Sequence, residues 1–99
     1  MKANMIVDIK YLPEFERRAQ KMAKKYRSFV QDYDKFLDSL EENPFQGTSL
    51  GMGVYKTRMA VLSKGKGKSG GVRVLTYTVQ KVNPEKIVIT LCRFLIKVT

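Results

Sequence analysis

The stretch that most constrains this chain is Ser63-Lys64-Gly65-Lys66-Gly67-Lys68-Ser69-Gly70-Gly71. A strand-like segment lies on either side of it, Val54 to Leu62 before and Val72 to Val79 after, so the run joins two strands. Hairpin loops usually span about 2–5 residues, and longer ones tend to carry function. Lys64, Lys66 and Lys68 bring three cations and no anion comes with them. Glycine lets a backbone approach a partner and expose its amides, and lysine supplies mobile donors suited to phosphate. A phosphate-binding loop fits these residues. A solvated tip that blunts a sheet edge fits them too.

The rest of the chain supplies the layers around that hairpin. Met5 to Ile9 is short, apolar and β-branched, and reads as a first strand. Pro13 suits a first helical turn, and Phe15, Ala19, Met22, Ala23 and Tyr26 then follow at helical spacing. Arg17, Arg18, Lys21, Lys24 and Lys25 fill the other side as a solvated face. Ser28 and Gln31 fit a capping box. A second stripe follows, Phe29, Tyr33, Phe36, Leu37 and Leu40, with Asp32, Asp34, Asp38, Glu41 and Glu42 expected outside. Asn43-Pro44 ends that helix, and Phe45 to Gly53 reads as a loop. In Val54 to Leu62, Tyr55, Thr57, Met59 and Val61 point one way, which leaves Lys56 and Arg58 together on the opposite face. Asn83-Pro84 marks a turn, and the apolar run Ile87 to Cys92 reads as a central strand covered on both faces. The expected architecture is α+β: a two-helix hairpin on a mostly antiparallel four-stranded sheet in the order β-α-α-β-β-β. At 99 residues the chain is expected to form a single domain, residues 1–99.

Charge and composition narrow the function. The net charge is +10 and the sequence pI is about 9.9. From Asn43 to Thr99 ten Lys and Arg face a single acid, Glu85. A basic half of this kind is an electrostatic footprint for nucleic acid. The basic residues of this half lie largely on strands and a glycine loop, without the amphipathic basic helix that an anionic membrane surface favours. Apolar runs are only a few residues long and the N-terminus has no apolar signal region, so a cytoplasmic protein with no membrane partner is expected. With no histidine and one cysteine, no zinc site or other cofactor is expected, and Cys92 reads as a buried structural thiol.

Gly67-Lys68-Ser69 invites comparison with a nucleotide-binding phosphate loop, but the first glycine of that pattern would fall at Leu62, and no helix follows. No serine–histidine–carboxylate set is present. Any chemistry must therefore use Lys and Arg. Cations stabilise a pentavalent phosphate, and a lysine among other cations gives up its proton more readily. Lys56, Arg58 and Arg73, on adjacent strands, are the candidates, although taken alone they read more simply as ordinary residues of an exposed sheet face.

The sequence resembles the RelE/ParE superfamily of toxins from type II toxin–antitoxin systems, in its RelE/HigB-like branch. The resembling residues are Phe15-Glu16-Arg17, Leu40-Glu41-Glu42-Asn43-Pro44 with Gly47, Tyr55-Lys56-Thr57-Arg58, and above all Ser63 through Gly71 continuing into Val72-Arg73-Val74. The resemblance implies a small bacterial mRNA endonuclease (an mRNA interferase) that works in the ribosomal A site and inhibits translation. It also implies an antitoxin, expected to carry a helix-turn-helix and to provide the only link to operator DNA. By the same resemblance Lys56 is the candidate base, Arg58 a phosphate clamp and Arg73 the arginine that stabilises the transition state. Lys64, Lys66 and Lys68 are expected to hold ribosomal or messenger phosphates. A gyrase-directed toxin shares only the fold.

The tail departs from the family. Members continue past the last strand into an aromatic-Asp-Lys-Ser-acidic run and a further helix, whereas here the chain reads Cys92-Arg93-Phe94-Leu95-Ile96-Lys97-Val98-Thr99. This motivates the alternative of a catalytically impaired or truncated homologue that binds only antitoxin or RNA. A shifted frame near the codon for Cys92 permits the run Ser-Ile-Phe-Asp-Lys-Ser-Asp, so a frameshift is expected there. Lost cover over the last strand would then favour self-association.

Overall fold

A computed structural model describes residues 6–64, 71–82 and 85–95, without the side chain of Lys64. The elements are β1 (Ile6–Tyr11), α1 (Pro13–Lys25), α2 (Phe29–Glu42), β2 (Thr48–Gly51), β3 (Val54–Ala60), a 3-10 turn (Leu62–Lys64), β4 (Gly71–Val82) and β5 (Glu85–Leu95). The fold is α+β, with both helices packed on one face of a mixed sheet ordered β1-β5-β4-β3-β2. Three of its pairings are antiparallel and β1–β5 is parallel. The helices carry the chain from the β1 edge to the β2 edge.

The sheet has five strands where the sequence predicts four. The extra strand, β2, lies inside the expected loop and pairs Thr48 with Lys56 and Ser49 with Tyr55. Its four residues show no apolar alternation, so β3 imposes the extended form on them. Gly47 makes the approach possible: a Cβ there would sit 2.6 Å from the Lys56 carbonyl oxygen.

Both helical stripes form as their spacing predicts. Pro13 opens α1, with Glu14 and Glu16 in its first turn and Lys24 and Lys25 in its last, each sign placed to favour the helix dipole. Phe15, Met22, Phe29, Phe36 and Leu40 are buried against Met59, Val74, Ile89 and Leu91 of the sheet. Phe15 stacks on Phe94 of β5 at 4.3 Å between ring centroids, and Phe29 approaches the same ring at 6.1 Å. Cys92 to Leu95 thus extends β5, and Phe94 belongs to the core. The last four residues of the tail and the Asn83-Pro84 turn lie outside the described residues.

Four further expectations are corrected. Ile87 to Cys92 is covered on one face only: Ile87, Ile89 and Leu91 are buried, while Val88, Thr90 and Cys92 are half-buried on the side away from the helices. Cys92 is therefore not a buried thiol. Its Sγ lies 3.5 Å from the Thr90 carbonyl oxygen, and partial burial still pushes its pKa up, away from a reactive thiolate. The capping box at Ser28 does not form, because its side chain makes no bond to the helix N-terminus. The Ser28 hydroxyl is instead engaged by Asp32 and Ser63, and Asp32 is buried, not outside.

Candidate nucleic-acid interface

Alternation along β3 and β4 sorts their side chains. Thr57 and Met59 of β3, and Val72, Val74, Thr76 and Thr78 of β4, are buried under the helices. The residues between them face away from the helices. Lys56 and Arg58 therefore share the open face, as their alternation predicts, and Arg73 stands on the same face. Register brings them together. Arg58 is the direct cross-strand partner of Arg73, and Lys56 is the partner of Leu75 on the next outward rung. Side chains directly opposite on such a pair stand about 5 Å apart at Cβ, and outward neighbours along one strand are about 7 Å apart. Neither strand contains an acidic residue. Like charges placed opposite one another destabilise a strand pair, so the arrangement favours an anion over the rung.

Gly71 shapes the same corner. It pairs with Ala60, and a Cβ on it would lie 2.8 Å from the Met59 carbonyl oxygen and 3.4 Å from Arg58 Nε. The glycine that precedes Val72-Arg73 thus leaves room for the Arg58 side chain along the sheet.

Sequence reasoning missed Arg93. A bulge in β5 places Leu75 opposite Arg93 and Thr76 opposite Leu91, with Cys92 the extra residue. The rung is therefore Lys56–Leu75–Arg93. β1 ends opposite Leu91, and Arg93, beyond it, forms an exposed ion pair with Glu14 at 3.3 Å. The signal was available: the apolar positions Leu91 and Phe94 are three apart where a regular strand would have two.

The connection between the two strands is anchored at its start. Asp32 Oδ2 accepts the Ser28 hydroxyl at 2.6 Å and the Leu62 N–H at 2.8 Å. Ser28 and Ser63 exchange backbone N–H donors for each other's hydroxyl oxygens, at 3.1 and 2.8 Å. The buried carboxylate of α2 thereby fixes the point where the basic run leaves β3. Lys66, Lys68 and the side chain of Lys64 lie outside the described residues. Among the described residues no group of His, Cys, Asp or Glu is placed to hold a metal ion, and no helix is long and apolar enough to cross a membrane. No family model, curated protein or solved structure matches the chain.

Proposed function

We propose that the chain is a RelE/HigB-like toxin of a type II toxin–antitoxin system, acting in the cytoplasm as a ribosome-dependent mRNA endonuclease. The observation that carries this reading is the cluster of Lys56, Arg58 and Arg73 on one open sheet face, on the two strands that the basic run joins. The α+β order of elements supports it as well.

In the proposed reaction the mRNA 2′-hydroxyl attacks the adjacent phosphorus. Lys56 takes the hydroxyl proton, the P–O bond to the 5′ oxygen of the next nucleotide breaks with that oxygen taking a proton from water, and a 2′,3′-cyclic phosphate forms. Arg58 holds the phosphate, and Arg73 opposite it stabilises the charge that develops on the equatorial oxygens. An antitoxin that covers this face would be acidic where it does so.

The test is in-vitro translation followed by primer extension on the message. Cleavage within codons is expected from the wild-type chain, and it should be lost in the Lys56→Ala/Arg73→Ala variant. A wild-type chain that binds ribosomes and leaves messages intact would overturn the catalytic reading and leave a binding module.

A further inference from the structure

We propose that Tyr77 is a stacking platform for a base of single-stranded RNA held on this face, an inference that rests on the RNA reading above. Tyr77 points outward: Thr76 and Thr78 on either side are buried, while Tyr77 is 44% exposed. Outward rungs place it next to the cations. Arg58 pairs with Arg73, Lys56 with Leu75 and Val54 with Tyr77. Lys56 and Tyr77 are thus diagonal neighbours, a relation that spans roughly 7–8 Å. Tyr77 stands about 13 Å along β4 from Arg73, within reach of a nucleotide close to one whose phosphate sits on the arginines.

The ring is also supported. Gly53 has φ +84°, and a Cβ there would lie 3.3 Å from Cε1 and 3.6 Å from Cδ1 of Tyr77. That edge of the ring rests against bare main chain, which the Thr78 N–H ties to the Gly53 carbonyl at 2.8 Å. Among the described residues no other aromatic stands on the open face: Phe45 packs edge-on against Tyr55, and Tyr11 lines a groove between the helices. Among the described residues Tyr77 stacks on no other ring. An exposed, backed aromatic beside a basic cluster is the arrangement that accepts bases with little sequence preference, because every base has a π face.

The experiment compares two strands by fluorescence anisotropy at low salt: a labelled mixed-sequence RNA and the same ribose-phosphate strand made abasic throughout. Wild type should bind the RNA more tightly than the abasic strand. Tyr77→Leu keeps apolar cover over Gly53 but removes the π face. It should bind RNA roughly tenfold more weakly while its affinity for the abasic strand stays unchanged. Tyr77→Phe should behave as wild type. Equal RNA affinity for Tyr77→Leu and wild type would overturn the proposal, as would equal losses on both strands, which mark a structural role. The Lys56→Ala/Arg73→Ala variant should lose both strands. If that variant binds RNA like wild type, or wild type binds no RNA, the RNA reading falls and this proposal with it.

Discussion

At the scale of single residues, the buried carboxylate of Asp32 is the most consequential group outside the basic cluster. Asp32→Ala would leave the Leu62 N–H and the Ser28 hydroxyl without their acceptor. It should lower stability by about 2 kcal/mol, read as a shift of the urea midpoint at constant slope. Asp32→Asn keeps an acceptor oxygen and should recover most of that loss. Tyr33 gives a pH signature. Burial, then the charges of Tyr11, Asp34 and Glu16, push its pKa up to about 12 from an ordinary 10.0. Between those values the unfolded chain has lost the tyrosine proton and the folded chain still holds it. The unfolded state binds fewer protons, so this contribution to stability falls as pH rises through the window. Tyr33→Phe should remove that part of the decline, with the two stability curves diverging from about pH 10 upward. Coincident curves would count against it. Neither Asp32 nor Tyr33 was legible in these roles. Asp32 follows the pattern of a solvated helix acid, and the Leu62 N–H that it accepts is 30 positions away, beyond any local period.

At the scale of elements, the β2–β3 hairpin turns through Gly51, Met52 and Gly53, all with positive φ, 93°, 56° and 84°. Met52 is 94% exposed, so no packing compensates its left-handed backbone. Met52→Gly should raise stability by up to about 1 kcal/mol and Met52→Val should lower it; thermal melts of the pair would show opposite shifts. The helices were legible because each buries a stripe with its own period, and β3 and β4 because alternation marks their faces. β2 was not, since its extended form comes from its neighbour. The sharing of one face by Lys56 and Arg58 followed from alternation alone. Which residue of β4 stands opposite Arg58 did not, because the ten-residue connection between Ala60 and Gly71 fixes no register.

For the whole molecule, a charge of +10 concentrated toward one half should make association strongly dependent on salt. If Lys56, Arg58 and Arg73 each meet a phosphate, RNA affinity should fall with a log–log slope in salt of about −2. Removing one of the three should make the slope shallower. A flat dependence would mean that charge does not hold the strand.

The parallel pairing of β1 with β5 also sets an order in time. Of the elements described, β1 is the first to be synthesised and its only partner the last. At about 5–20 residues per second, β1 waits several seconds with its backbone donors and acceptors unpaired. Helix α1 waits with it, since Phe15 has no Phe94 to stack on until the same strand emerges. The β3–β4 hairpin can form earlier, so the basic face is assembled before the fold is closed. A nascent chain stalled before β5 should therefore present that face while remaining open to protease at β1 and α1.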